Sequence, residues 1–340
     1  MPTVSEVLTN FNSGNYHGRL HSLTPDDTPF STLLGGFAAG GGQVAFARTF
    51  EWQTYDLRGA SASAQIADNA DAPSAENRRR DNVFNVLQTH TETVGVGFER
   101  MAQHQQFNVP GSPSLDAENI GQGLNPITSE LPWQVTNMWK QIKRDIEASL
   151  ISSTFNLPAA NNAAARTRGI IQAITSNVVD KSTTATAEPL DFLQVEEAMQ
   201  LAYDNGGLSE GEARVLMLPS IHKRQLSWDY HQKGLAPRSR TVFGVNVEVI
   251  ETSFGTCNVV LNRHVPVGTA LVLDFSQLVP WHRMIPPHDE VPGGISFTYT
   301  KARTGNRTEQ VLYTSIGLEY GNEAAHAKIT GLASAQPEAD

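Results

Sequence analysis

A long segment with almost nothing to contribute to a hydrophobic core lies between two strand-like stretches of this chain. Residues 58–81 consist largely of Ala, Ser, Asn and Asp, and Ile66 is their one large apolar residue. Apolar residues alternate with other residues over 44–52 and recur over about 82–98, which predicts a half-buried strand on each side. A loop this long without core residues is uncommon in a compact domain and usually has a function or is disordered. We therefore predict a long hairpin that projects from the body, with a flexible surface loop as the alternative.

The composition bounds the classes of protein that the chain can belong to. Its 340 residues carry a formal net charge of −10. Only 18 % of them are charged, against about 25 % in average soluble domains. The acidic balance argues against a dedicated nucleic-acid-binding protein, which normally has a basic face. With 39 % hydrophobic residues the chain can build one elaborated fold or two closely packed subdomains.

Around the hairpin, the pattern predicts an extended arm and one long helix. Residues 1–43 contain prolines, glycines and little periodicity, so they should lie across another surface. Spacings of three and four predict a helix over about 128–153, roughly 38 Å long at 1.5 Å per residue. Its apolar stripe consists of Leu131, Val135, Met138, Ile142, Ile146 and Leu150. Four charged residues lie mostly off that stripe, namely Lys140, Lys143, Arg144 and Glu147.

The remainder predicts mixed helices and strands, and hence an α+β fold. Helices are expected over about 191–206 and 220–232, with strands at 215–218, 243–249, 259–261 and 271–273. A proline-rich connector is expected at 280–292, followed by strands at about 295–302 and 310–320. The residues from 333 onward are expected to form a frayed acidic tail.

Residues that could bind a metal are few and lack supporting partners. His17 and His21 have the spacing of half a zinc site, but no Cys pair accompanies them. Four further candidates flank prolines in the predicted connector, where solvated side chains are the simpler interpretation: His282, His288, Asp289 and Glu290. The glycine-rich stretch at 36–41 lacks the Lys and Ser or Thr of a phosphate-binding loop. We therefore expect no cofactor and no metal.

The sequence also predicts that the protein is not an enzyme. The single cysteine, Cys257, excludes an intramolecular disulfide framework, and its context favours a buried structural thiol. No nucleophile elbow, metalloprotease helix or paired-carboxylate motif is present. The N-terminus lacks the features of a secretory signal, and no run approaches the roughly 20 apolar residues of a membrane helix. A cytosolic origin without membrane contact is the expectation.

The order of these parts, together with several local motifs, resembles a known family across nearly the whole chain. The motifs are Thr28-Pro29-Phe30, Phe50-Glu51-Trp52-Gln53-Thr54-Tyr55-Asp56-Leu57, Asp81-Asn82-Val83-Phe84-Asn85, Lys143-Arg144-Asp145-Ile146-Glu147, Val260-Leu261-Asn262-Arg263 and Leu273-Asp274. In their order and spacing they are similar to the major capsid proteins of tailed bacteriophages, which have the Hong Kong 97-type fold.

The resemblance implies a division of the chain into named regions. These are an N-terminal arm at 1–43, an E-loop hairpin at 44–98, a P-domain at 99–186 that includes the spine helix at 128–153, an A-domain at 187–279, return strands of the P-domain at 280–323, and a C-terminal strand and tail at 324–340. It also implies inter-subunit contacts from residues of the E-loop and the spine helix. The candidates are Phe50, Trp52, Arg78, Arg79, Arg80, Trp133 and Trp139.

The function that the resemblance implies is structural. Copies of the chain are expected to form hexamers and pentamers that tile an icosahedral shell around double-stranded DNA, which the shell contains without reading its sequence. A portal and, as further partners, scaffold or decoration proteins are implied, with assembly in the host cytoplasm and a final location in the virion capsid. Because the arm begins within a few residues of Met1, any scaffold is expected to be a separate protein. The alternatives are an encapsulin-like shell around cargo enzymes, a phage tail or adhesion protein, and a hydrolase with an unrecognised site. The arginines at 78–80 could touch nucleic acid, but a solvated tip or a partner contact suits the acidic chain better.

We predict that the subunits are not joined by a covalent bond from the E-loop. Some relatives form an isopeptide bond from an E-loop lysine, whereas every lysine of this chain lies outside 44–98, at positions 140, 143, 181, 223, 233, 301 and 328. Assembled particles heated in detergent should therefore run as a monomer band in gel electrophoresis. A ladder of covalent multimers would contradict this expectation.

Overall fold

The computed structural model describes residues 24–36, 42–57, 59–62, 66–72, 74–105, 130–160, 163–182, 188–208, 213–233, 238–242, 245–288, 291–302 and 305–334. Several predictions fall outside these ranges. They concern most of the N-terminal arm with His17 and His21, most of the glycine-rich stretch at 36–41, Asp289 and Glu290, and nearly all of the acidic tail.

The described elements alternate between helix and strand in an α+β arrangement. The α-helices are α1 (Pro29–Leu33), α2 (Phe98–Gln105), α3 (Glu130–Ser152), α4 (Ile170–Ala173), α5 (Phe192–Asp204) and α6 (Ser220–Gln232). The strands are β1 (Gln43–Ala45), β2 (Thr49–Tyr55), β3 (Arg80–Val86), β4 (Gln88–Gly97), β5 (Val178–Asp180), β6 (Arg214–Leu218), β7 (Arg238–Val242), β8 (Val245–Thr252), β9 (Gly255–Leu261), β10 (Thr269–Asp274), β11 (Val279–Arg283), β12 (Ser296–Thr300), β13 (Arg307–Glu319) and β14 (Ala327–Thr330).

A five-stranded sheet is built around the long strand β13. Strand β4 pairs antiparallel with one edge of β13, and β12 and β11 pair with the other edge in succession. Strand β1 extends the sheet by pairing parallel with β11. The predicted single strand over 82–98 is therefore two strands, because the chain passes from the hairpin into the sheet at the buried Leu87.

The long helix α3 packs on this sheet and forms the larger hydrophobic core with it. The helix is 23 residues long, which corresponds to about 35 Å at 1.5 Å per residue. Met138, Ile142, Ile146 and Leu150 of the predicted stripe are buried, as the spacing of the apolar residues requires. Gln88 of β4 donates a 3.2 Å hydrogen bond to Ser149 Oγ of the helix. The prediction of a long helix with one apolar face is confirmed.

A second sheet contains the strands in the order β5–β14–β10–β6–β9–β8–β7. Its central strands are apolar on both faces, because one face packs with helices α5 and α6 in the second hydrophobic core and the other face belongs to the larger core. Asp191 and Gln194 form a capping box at the start of α5, which explains why this helix begins where the sequence predicted. Helix α6 connects the parallel strands β6 and β9 by way of the β7–β8 hairpin.

The prediction of a proline-rich connector at 280–292 is wrong at its start, where strand β11 forms. Pro280 pairs with Leu318 of β13, while the pairing with β1 begins one residue later, at Trp281. The missing N–H of Pro280 is therefore compatible with the ladder to β1. Among the described residues, no helix combines the length and apolar character that crossing a membrane requires.

We predict that truncation of the α3 stripe destabilises the subunit. Leu150 is 0 % exposed, so Leu150→Ala should lower the free energy of unfolding by about 2–5 kcal/mol. Lys143→Ala, at an exposed position of the same helix, is the control and should change it by less than about 0.5 kcal/mol. Urea denaturation of the unassembled subunit measures both. Equal effects would show that the helix does not depend on this face.

Candidate functional site

A buried carboxylate joins three distant parts of the chain. Glu147 lies on α3 and is 0 % exposed. Its Oε1 accepts hydrogen bonds from the backbone N–H of Phe30 (2.7 Å) and from Asn262 Nδ2 (2.7 Å). Its Oε2 accepts from the backbone N–H of Ser31 (2.8 Å) and from Ser31 Oγ (2.5 Å). The carboxylate thus holds the N-terminal end of α1 and the residue that follows β9 against the long helix.

Desolvation and hydrogen bonding act in opposite directions on Glu147. Burial raises the pKa of its carboxyl group above the ordinary value, and the bonds from Ser31, Phe30 and Asn262 oppose that rise. All of these partners are donors, so the network suits an acceptor with two oxygens. We call Glu147, Phe30, Ser31 and Asn262 the Glu147 network. The sequence placed Glu147 off the apolar stripe and missed its burial.

Two ion pairs fasten the segment that precedes α1 on either side of this network. Asp26 pairs with Lys140 of α3 at 2.8 Å, and Asp27 pairs with Arg263, next to Asn262, at 2.7 Å. The hydrogen bond from Lys140 lowers the pKa of the Asp26 carboxyl group. These pairs are half exposed and contribute little stability individually. Their value is positional, because they align residues 26–31 along the helix and beside the second sheet.

Strands β2 and β3 pair antiparallel and form the hairpin, and its root is anchored in the body of its own subunit. Phe50 stacks on Trp281 with ring centroids 5.0 Å apart, and Trp52 meets Tyr320 edge to face at 4.9 Å. Trp52 Nε1 donates to the Gly321 carbonyl at 2.9 Å. The exposed fractions of Phe50 and Trp52 are only 4 % and 9 %. Their burial leaves little of either ring for the predicted contact with a neighbouring subunit, which rested on the family resemblance that places both residues in the E-loop.

A buried asparagine continues this anchor on the second strand of the hairpin. Asn85 Nδ2 donates to the Leu318 carbonyl at 2.7 Å, and Asn85 Oδ1 accepts from the backbone N–H of Arg168 at 2.8 Å. The ring of Phe50 lies so close to Gly317 that a Cβ there would approach it to 2.5 Å. The root is thus held by stacking, by hydrogen bonds and by a glycine that admits the ring.

The far end of the hairpin has the opposite character. Every described residue among 56–79 is exposed, including Leu57 and Ile66. Arg78 pairs with Glu76 at 2.9 Å, and Arg80 donates to Gln53 Oε1 at 3.3 Å, so these contacts stay within the hairpin. Arg79 is exposed like its neighbours. The three arginines therefore remain candidates for a contact with another molecule.

The two predicted tryptophans of α3 are half-buried. Trp139 packs at the margin of the larger core, and Trp133 lies one and a half turns earlier on the same helix. Their intermediate exposure leaves part of each ring accessible, so both remain predictions as contact residues.

The described residues offer no cluster for a metal ion, and their one cysteine is buried. They contain no cluster of three His, Cys, Asp or Glu side chains that could hold a metal ion. Complete burial raises the pKa of the Cys257 thiol to about 12, which keeps it protonated and unreactive near neutral pH. His282 is buried on β11, away from solvent.

We predict that the Glu147 network is essential for holding α1. Glu147→Gln replaces one acceptor oxygen by a donor that faces other donors, so it should cost about 1–3 kcal/mol of unfolding free energy. It should also speed hydrogen–deuterium exchange at Phe30 or Ser31, because the backbone N–H group that faces the new amide NH2 loses its acceptor. Asp145→Asn, at an exposed position of the same helix, is the control. Unchanged exchange in Glu147→Gln would contradict this role.

Comparison with solved structures identifies the fold. The cyanophage A-1(L) capsid asymmetric unit matches with a TM-score of 0.59 at 10 % identity, covering 97 % of this chain and 99 % of that one. The capsid of Myoviridae phage XM1 matches with a TM-score of 0.58 at 11 % identity, covering 97 % and 100 %. The holo-SrpI encapsulin complex from Synechococcus elongatus PCC 7942 matches with a TM-score of 0.57 at 12 % identity, covering 97 % and 95 %. The predicted Hong Kong 97-type fold is confirmed.

Comparison of sequences identifies the family. No curated protein matches the chain. The profile of the SU10 major capsid protein family matches residues 3–333, which include both sheets, the projecting hairpin and the Glu147 network. The chain therefore belongs to the SU10 major capsid protein family.

Proposed function

We propose that copies of this major capsid protein assemble as hexamers and pentamers into an icosahedral shell that encloses double-stranded DNA. The observation that carries the proposal is the contrast within the hairpin. Its root is packed into the body, while the described residues among 56–79 are all exposed. A segment that cannot bury enough apolar surface alone gains order when a neighbouring copy covers it.

Several properties of the surface support self-association. Charged residues are depleted at the centres of protein interfaces, and this chain has few charges for its size. Exposed apolar side chains occur on both parts of the body, for example Phe46 (73 % exposed) and Leu193 (64 % exposed). Repeated head-to-tail contacts close into rings when the rotation between subunits permits. Arg78, Arg79, Arg80, Trp133 and Trp139 are the proposed contact residues.

The proposed partners and location follow from a shell that contains its cargo. The net charge of −10 suits containment of DNA without tight binding at every subunit. A portal, with scaffold or decoration proteins, would complete the particle, which we place in the virion after assembly in the host cytoplasm. The regions proposed for the chain keep the boundaries given above, and the protein acts without catalysis or a cofactor.

An encapsulin-like compartment is the second candidate function. The observation in its favour is the similarity of the fold to the SrpI encapsulin. The family of the chain favours the phage capsid, because its profile describes a major capsid protein. No observation on the described residues favours a tail or adhesion protein.

We predict that the purified chain forms closed particles. Negative-stain microscopy should show shells, whereas monomers or tubes would contradict the proposal. Nuclease-protected double-stranded DNA should be recovered from particles made during infection. Recovery of a protein cargo instead of DNA would favour the encapsulin-like function.

A further inference from the structure

A pocket beside the root of the hairpin has two arginines and no acidic residue among the described residues that line it. It encloses about 500 Å³ between Arg48, which precedes β2, and Arg283 at the end of β11. Leu87 and residues 163–165 complete most of its wall. Arg48 Nη2 donates to the Ala163 carbonyl at 2.9 Å, which fixes one guanidinium at the rim. We call this cavity the root pocket.

The charge of the root pocket differs from that of the chain as a whole. The protein carries a net charge of −10, yet the described lining of this cavity contains two guanidinium groups and no carboxylate. Arg283 forms no ion pair with a described residue. Because guanidinium groups bind carboxylates and phosphates well, the root pocket suits an anionic partner.

The tip of the hairpin carries exposed anionic groups that form no ion pair with the described part of the chain. Asp68 and Asp71 are exposed, and neither has an ion pair with a described residue. Ile66, close to them in the chain, is 57 % exposed. At the root, Phe46 and Met284 are 73 % and 41 % exposed and lie within two residues of the arginines. The tip thus combines carboxylates with an apolar side chain, and the surroundings of the root pocket combine arginines with apolar side chains.

The tip and the root pocket of one subunit are too far apart to meet. Strand β2 begins directly after Arg48 and runs for seven residues, which places its far end about 20 Å from the root. Ile66, Asp68 and Asp71 are exposed in the subunit, so they do not fold back onto it. A tip can therefore fill a root pocket only in another copy.

We propose that the hairpin tip of one copy docks in the root pocket of the next, with Asp68 and Asp71 facing Arg48 and Arg283. This inference rests on the proposed shell, and it names the surface that receives the hairpin. Because the donor and receiving surfaces differ, the contact is head-to-tail and repeats around a ring. A DNA phosphate would satisfy the arginines but would leave Phe46, Met284 and Ile66 uncovered, so the peptide tip is the favoured occupant.

Site-directed crosslinking tests the contact directly. The chain has a single cysteine, Cys257, which is buried and does not interfere. Ala70→Cys lies between the two aspartates, and Ala164→Cys lines the root pocket at an exposed position. Subunits with both changes should form disulfide-linked multimers when assembled particles are oxidised. Ala70→Cys combined with Leu193→Cys, at an exposed position on α5, is the control and should remain monomeric.

The outcomes separate this inference from the proposed function. If wild-type chains form no particles, both the proposed function and this contact are wrong. Particles that form but give no multimers with the Ala70 and Ala164 pair, or give as many with the control pair, would overturn only the docking.

A charge exchange gives an independent test that does not require cysteines. Arg48→Glu with Arg283→Glu should raise the subunit concentration needed for assembly by about tenfold or more, with the circular dichroism spectrum unchanged. Adding Asp68→Arg and Asp71→Arg should restore assembly, because the signs of both surfaces are then reversed. Assembly as efficient as wild type in the double variant, or no rescue in the fourfold variant, would overturn the proposal. If the double variant forms normal shells that retain less DNA, the arginines bind phosphate, and the proposed docking is overturned as well.

Discussion

The carboxylate of Glu147 is the interaction on which the architecture of the subunit depends most. Two of the motifs that identify the family meet the long helix at this one side chain: the Thr28-Pro29-Phe30 turn and the strand end at Asn262. If one side of this network is removed, the buried donors or acceptors that remain lose their partners. The resulting loss of folding free energy is larger than the net contribution of the hydrogen bonds. The network therefore permits one arrangement of arm, helix and second sheet, and the flanking ion pairs of Asp26 and Asp27 extend it along the surface.

The stability of the subunit is distributed unevenly, and the unevenness follows the function. The root of the hairpin is held by stacked aromatic rings and by Asn85, whereas the described residues of the tip are exposed and the ion pair of Arg78 with Glu76 lies within the hairpin. The packed root gives the hairpin a defined direction. The exposed tip can become ordered against a neighbouring copy, whose contacts offset the entropy cost of ordering. The head-to-tail contact proposed for the root pocket would use that same division between donor and acceptor surfaces.

Local patterns were sufficient for some elements and misleading for others. The stripe of α3 follows from spacing alone, because the period of a helix is local. Strand β11 was missed because Pro280 begins a proline-rich stretch that indicates a connector, and because the strands that pair with β11, β1 and β13, are distant in sequence. Phe50 and Trp52 were predicted to be contact residues because the family resemblance places them in the E-loop. Trp281 and Tyr320, more than 200 residues later, pack against them within the subunit. The burial of Glu147 was missed because a charged residue on a helix is usually solvated, although the family-like motif at 143–147 includes this residue.

The sequence by itself determined the class of fold, the long helix, the projecting hairpin with its apolar-poor tip, and the family that these parts resemble. Those features depend on periodicity, composition and motif order, which each segment carries within itself. The tertiary structure decided which residues each surface covers: that Glu147 is buried beneath α1, that the hairpin root is internal, and that Arg48 and Arg283 line one cavity. These contacts join residues that are distant along the chain. Burial and hydrogen-bond pairing therefore depend on the assembled core and not on any local stretch of sequence.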